Sequence, residues 1–267
     1  MPIARVNGQS IYFEDTGGSG YPLIFSHGLL MDHAMFIPQI QALSGRYRCI
    51  AWDERGHGQT NDAAEPFSYY DSAADLAALL AHLGVRQAVL VGMSQGGYLS
   101  LRAAMQYPQI VSGLILIDTQ AQPEDPAKLP GYLQMVEAWI QQGLSDETAS
   151  IIEHIILGDG FADAALWKAK WKEFRAGNLQ QIFNTLGTRD DISGRLSEIK
   201  APALVLHGEC DTAIETERAA DMTKRLQNAQ LVIVPGAGHA ANLTHPALVN
   251  PHIERFLDGL QETRRLN

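Results

Sequence analysis

The run Gly92-Met93-Ser94-Gln95-Gly96-Gly97 sets a serine between two glycines, each two positions away. A serine hydroxyl attacks a carbonyl carbon only if a base takes its proton and an acid orients that base. The apolar stretch Ala88-Val89-Leu90-Val91 leads into the run, and the helical pattern Tyr98-Leu99-Ser100-Leu101-Arg102-Ala103-Ala104 leaves it. Between a strand and a helix, G-x-S-x-G forces a sharp turn. Its glycines remove side chains that would clash, and the serine is held strained with its hydroxyl exposed. The helix that follows turns its unpaired N–H groups toward that point and favours negative charge there. For the pentapeptide alone, a glycine-rich turn with a capping serine is the plainer explanation. The flanking strand and helix point instead to a nucleophile.

Such a serine predicts an acid and then a histidine further along the chain. The strand pattern Ala203-Leu204-Val205-Leu206-His207 is followed by Gly208-Glu209-Cys210-Asp211. The pattern Leu231-Val232-Ile233-Val234 is followed by Pro235-Gly236-Ala237-Gly238-His239. Both candidates lie just past the end of a strand, where open α/β sheets build their sites. Ser94, Asp211 and His239 are therefore the expected triad. Asp118 also ends a strand and is an alternative acid, and Glu209 is a weaker one. His27 and His57, next to glycines in tight loops, are expected to brace backbone. His33, His82, His154, His207 and His252 show no chemistry in the sequence.

An acyl-transfer intermediate needs N–H donors aimed at its oxyanion. The backbone N–H of Gln95, next after the serine, is one candidate. The other is the N–H of Leu29, in the loop Ser26-His27-Gly28-Leu29-Leu30 that follows Leu23-Ile24-Phe25. Gly28 would let that backbone come close, although a turn alone can also call for glycine.

Short β-rich runs position these residues. A hairpin is read over residues 3–15 around Asn7-Gly8, and further strands over 22–26, 47–52, 87–91, 111–118, 203–207 and 230–235. Helical patterns fall at about 34–44, 70–83, 95–107, 215–227 and 246–260. Alternation of this kind implies a mostly parallel, doubly wound sheet with helices on both faces. From Gln120 to Leu196 the rhythm breaks, with four helices expected near 131–142, 146–157, 162–176 and 178–187. The reading is a core of residues 1–119 and 197–267 with a helical cap, 120–196, inserted in it. In the third cap helix Trp167, Trp171 and Phe174 share one face. Leu30, Trp139 and Trp167 are the pocket candidates, and Met135, Phe161, Trp171 and Phe183 are also available; packing within the cap is the alternative for each.

Across 267 residues, 46% are apolar, enough for a large core, and the net charge is −10. An acidic surface argues against a polyanion partner such as nucleic acid. Lys168, Lys170 and Lys172 are interleaved with Trp167, Ala169, Trp171 and Glu173, the solvated side of a helix. Cys49 and Cys210 make no disulfide framework or metal site, and each is expected to be a small buried side chain. The opening residues lack a secretory pattern and no apolar run reaches membrane-span length, so the expected location is cytoplasmic, with no membrane partner.

Ser26-His27-Gly28, Asp53-Glu54-Arg55-Gly56-His57-Gly58, Gly92–Gly97, His207–Asp211 and Gly236–His239 together resemble the α/β-hydrolase fold family over essentially the whole chain. The resemblance implies that fold, with about eight strands and a helical cap. Length and cap size look most like carboxylesterases, 3-oxoadipate enol-lactonase-like proteins and cofactor-free haloperoxidases. Ser94 departs from dehalogenases and most epoxide hydrolases, which carry Asp there. Met93 and Gln95 depart from the flanks of carbon–carbon bond hydrolases. The implied activity is cleavage of a carboxylic ester or lactone, small to medium and mainly apolar, through an acyl-enzyme on Ser94, with no metal or organic cofactor. Two rivals keep the same residues: a carbon–carbon bond hydrolase or lyase, and a ligand-binding receptor with vestigial hydrolysis.

Overall fold

The computed structural model describes residues 2–60, 63 and 65–266, with side chains through Thr263. The terminal residues of the expected core, Met1 and Asn267, lie outside the described residues.

Eight strands form one sheet in the order β1-β2-β4-β3-β5-β6-β7-β8. They are β1 (Ile3–Val6), β2 (Gln9–Asp15), β3 (Tyr21–Ser26), β4 (Tyr47–Trp52), β5 (Ala88–Met93), β6 (Val111–Ile117), β7 (Ala203–Gly208) and β8 (Ala229–Val234). The first two make the expected hairpin, pairing Val6 with Gln9 across Asn7 and Gly8, both at positive φ. That geometry is the two-residue turn that Asn-Gly favours. β2 runs antiparallel to β4, and every pairing from β4 across to β8 is parallel. β3 lies between β4 and β5, so the winding direction reverses there and a crevice opens between the ends of β3 and β5.

The parallel strands are apolar on both faces. Leu23, Phe25, Val89, Val91, Ile115, Leu204 and Leu206 join one core cluster, and Ile24, Leu90, Leu114, Leu116 and Val205 join the other. Alternate side chains point to opposite faces of a strand, so a run such as Leu114-Ile115-Leu116 must be covered twice. Helices α1 (Ile37–Leu43), α2 (Tyr69–His82) and α3 (Gln95–Gln106) come from the first half of the chain. Leu43 packs on the first cluster, and Leu76 and Leu99 on the second.

Between β6 and β7 come α4 (Leu129–Gln142), α5 (Asp146–Ile156), α6 (Ala164–Lys172) and α7 (Ala176–Gly187), with no strand among the described residues there. The third expected helix, 162–176, is shorter in the structure. α6 stops at Lys172, where the Glu173 N–H tightens onto the Lys170 carbonyl and the Phe174 N–H onto that of Trp171, and extended Arg175 starts α7. The fold closes with α8 (Thr216–Arg225), α9 (Ala241–Thr244) and α10 (Pro246–Leu266). None of the described helices is long and apolar enough to cross a membrane. Cys49 is buried as expected, but Cys210 is exposed, because it sits in the turn beyond β7 rather than in the strand.

Candidate active site

The serine sits where β5 becomes α3. Its φ is 53°, in the left-handed region, which costs a residue with a Cβ about 1–2 kcal/mol. Leu30 (62°) and Asp118 (47°) are also left-handed, just beyond β3 and β6. Three of the four described non-glycine residues with positive φ thus surround one crevice, the concentration of strain expected at a functional site. The turn is held by Ser94 N–H donating to the Ile117 carbonyl at 2.9 Å, and by the Ser94 carbonyl accepting from Thr119 Oγ1 at 2.6 Å. A Cβ on Gly92 would lie 2.1 Å from the Gly96 carbonyl oxygen, so the chain can turn this tightly only with glycine.

The end of β8 brings His239 to that serine. His239 Nε2 is 3.0 Å from Ser94 Oγ, and its Nδ1–H donates to Asp211 Oδ2 at 2.8 Å. Asp211 Oδ1 accepts the Ala213 and Ile214 N–H groups at 2.8 and 3.0 Å. Burial alone would raise the Asp211 carboxyl, but the facing His239 and those backbone donors hold it below its ordinary value. Burial alone would lower His239, but the charge and hydrogen bond of Asp211 outweigh it and raise the imidazole. The three residues form a relay: the serine proton can pass to Nε2, and the imidazolium that results is stabilised by Asp211.

Asp118 stands elsewhere in the site. Its side chain is fully buried, Oδ1 accepting Gly208 N–H at 2.7 Å and Oδ2 accepting Ala241 N–H at 3.0 Å. It makes no hydrogen bond to His239 among the described residues; it ties together the loops that carry Asp211 and His239. Burial, then the nearby Asp211 carboxylate, push the Asp118 carboxyl well above its ordinary value. Glu209 turns away to accept Gly236 N–H at 3.0 Å. His207, which the sequence does not single out, lies beside the relay: its Nε2 is 2.9 Å from the Ile214 carbonyl oxygen and 3.5 Å from Asp211 Oδ2. Ligand atoms of Asp118, His207 and Asp211 lie within 4.8 Å of one another, the geometry of a metal site. The carboxylate oxygens of Asp118 and Asp211 already accept N–H donors, and such donors would face a cation, while the buried Nδ1 of His207 has no hydrogen-bond partner among the described residues.

Gln95 begins α3, and an N–H at the first helical position has no carbonyl one turn earlier to bond. Leu29 lies across the crevice. A Cβ on Gly28 would come 2.6 Å from Met93 Sδ, so a side chain there would have to displace the buried Met93 thioether. His27 braces the loop as expected, with Nε2 accepting Glu54 N–H at 3.0 Å and Nδ1–H donating to the Gly28 carbonyl at 2.8 Å. His57 does the same through Nδ1 and the Arg55 carbonyl.

A cavity of about 100 Å³ reaches Ser94 and His239. Leu29 and Leu30 line it from the core; Met135, Ile152, Ile156 and Phe183 line it from the inserted helices. Trp139 and Trp167, expected as pocket residues, do not line it. Both are buried in packing among the inserted helices, Trp139 edge-on to Phe174 and Trp167 beneath the Lys170 ammonium. Trp171 donates its indole N–H to the Leu30 carbonyl at 2.9 Å. Glu124 and Tyr132 also line the cavity; Tyr132 keeps helical spacing with Met135, Val136 and Trp139, whereas Glu124 carries no periodic or motif signal in the sequence.

A family model described as the alpha/beta hydrolase fold matches residues 21–246. A 2-(acetamidomethylene)succinate hydrolase of Mesorhizobium japonicum is 29% identical, over 90% of this chain and 89% of that protein. A solved thermophilic esterase from Thermogutta terrifontis has a TM-score of 0.87 at 27% identity, with 94% of each chain covered. An enol-lactonase from Burkholderia xenovorans has a TM-score of 0.88 at 21% identity, over 96% of this chain and 100% of that one, a likeness of fold alone. By its sequence match and its topology, the chain belongs to the α/β-hydrolase fold family.

Proposed function

We propose that the protein is a serine hydrolase that cleaves a small, mainly apolar carboxylic ester or lactone through an acyl-enzyme on Ser94. One observation carries the reading: Ser94 Oγ, both imidazole nitrogens of His239 and Asp211 Oδ2 lie in a continuous chain of 3.0 and 2.8 Å contacts. His239 takes the serine proton as Oγ attacks the carbonyl carbon. The N–H groups of Leu29 and Gln95 receive the oxyanion, and His239 returns the proton to the departing alcohol oxygen. Water, deprotonated by His239 in turn, attacks the acyl carbon and frees the acid and Ser94. Each step needs only groups of this chain and water.

The four inserted helices act as a cap that closes an apolar chamber over the serine. An engineered apolar cavity of roughly 150 Å³ holds a benzene, so a chamber of about 100 Å³ favours a short apolar group beside the reacting carbonyl. The test is an assay of wild type and Ser94→Ala on p-nitrophenyl esters of increasing chain length, with a small lactone included. Turnover should favour short chains and fall by about 10⁴-fold or more in the variant. Undiminished hydrolysis by folded Ser94→Ala would remove the serine from the mechanism.

A further inference from the structure

Apart from Ser94 and His239, the cavity wall is aliphatic, aromatic or thioether at nearly every position. Glu124 is the exception that carries charge. Its Oε1 lies 2.6 Å from Arg189 Nη2, and the two side chains are 12% and 2% exposed. Arg189 is not part of the wall; its guanidinium lies 5.1 Å from the Tyr98 ring centroid, behind the carboxylate. The chamber therefore meets the anion of a neutral pair while the cation stays hidden. After burial, the charge of Glu124 is the next cause raising the phenol of Tyr132, another wall residue, and it adds to the upward pull on His239.

We propose that Glu124 sets the substrate class: an uncharged ester or lactone whose apolar body ends in a neutral hydrogen-bond donor, a hydroxyl or amide N–H, with free carboxylates rejected. This rests on the esterase reading above. An ionised carboxylate only accepts hydrogen bonds, so an apolar group placed against it strips its hydration and returns nothing. A hydroxyl or amide donor satisfies it. A substrate carboxylate would set acceptor against acceptor in a dry site, its charge desolvated with no donor to receive it. An ammonium gains little, because Arg189 already balances Glu124.

The experiment uses six-carbon esters ending in methyl, hydroxymethyl or carboxylate, with the group placed on the acyl chain in one set and on the alcohol in another. Acid release is followed by a pH indicator. In wild type, on whichever side faces Glu124, kcat/KM should favour hydroxymethyl over methyl by about tenfold and disfavour carboxylate by about as much again. Glu124→Gln frees Arg189 from its counter-ion, so the carboxylate-to-methyl ratio should rise at least about tenfold. Glu124→Gln with Arg189→Gln should lose that gain. Equal rates for the three wild-type substrates on both sides, or an unchanged ratio in a Glu124→Gln protein of normal melting temperature, overturns the proposal. If that variant does not fold, the wild-type order decides alone. Dissociation constants of the same esters on Ser94→Ala protein separate the two readings. The same preference in binding without wild-type turnover keeps this inference and removes the esterase, whereas turnover with no preference does the reverse.

Discussion

Asp118 offers the most exacting test of how the site is held together. Its carboxylate accepts Gly208 N–H at 2.7 Å and Ala241 N–H at 3.0 Å, and Asp118 and Ala241 are fully buried. Asp118→Ala leaves both donors without a partner, at about 1–3 kcal/mol for each unsatisfied buried group. Alanine must also adopt the φ of 47° that Asp118 holds, a further cost of about 1 kcal/mol. The expected loss is therefore about 3–7 kcal/mol. Asp118→Asn has the uncharged shape, tolerates the left-handed region and keeps one acceptor, so it should lose only about half as much.

Activity should follow the same order for a separate reason. Gly208 precedes Asp211 by three residues and Ala241 follows His239 by two, so the carboxylate pins the loops on which the relay rides. A displacement of about 1 Å in a catalytic group costs on the order of 10²-fold in rate. Asp118→Ala should lower kcat by about that factor and leave KM nearly unchanged, since Asp118 does not line the cavity. Denaturant unfolding gives the stability and ester hydrolysis the rate. A loss below about 1 kcal/mol in the alanine variant, or equal losses for alanine and asparagine, would refute the bracing role.

Three further outcomes are expected. In Asp211→Asn, removing the charge that lifts His239 should move the acid limb of kcat/KM to lower pH, with residual turnover lower by about 10⁴-fold; an unmoved limb contradicts the assignment. Trp171→Phe deletes the indole donor to the Leu30 carbonyl and should cost about 1 kcal/mol in thermal melting, with a higher KM because Leu30 lines the cavity. Glu54 is buried, and burial first, then Asp75, push its carboxyl from 4.5 up to about 8. Between those values the folded chain holds a proton that the unfolded chain has lost, so wild-type stability falls as pH rises across that window. Glu54→Gln should gain on wild type in unfolding curves from about pH 5 to about pH 8, and parallel curves would refute the buried protonated acid.

What the sequence makes legible here follows from how each feature is specified. The serine turn, the acid and the histidine each follow an apolar run within a few residues, and a strand end fixes where the next residues emerge. Their meeting in space then follows from the parallel sheet, because β5, β7 and β8 all end on one edge. The Asn7-Gly8 hairpin and the four inserted helices are local in the same sense, and the structure has them close to where periodicity puts them. The break after Lys172 escapes because Trp167, Trp171 and Phe174 keep helical spacing across it, and spacing does not register a tightened last turn.

The cavity wall is specified differently. Periodicity tells which residues share a helix face but not toward what that face turns, so Trp139 and Trp167 have the same pattern whether they line a chamber or pack within the cap. Glu124 stands between Pro123 and Pro126 in a stretch with no period at all, and its partner Arg189 is 65 positions later by sequence number. Only tertiary packing brings the pair together at the cavity wall. Asp118 and His207 show the same contrast at the relay: each reads as the end of a strand, and their nearness to Asp211 comes from β6 and β7 being neighbours. Chemistry written at strand ends is therefore carried by short range in the sequence, while selectivity is carried by contacts between elements. A relative can keep the first and change the second, so the Glu124–Arg189 pair, rather than the triad, is where the substrate of this protein should diverge from those of its family.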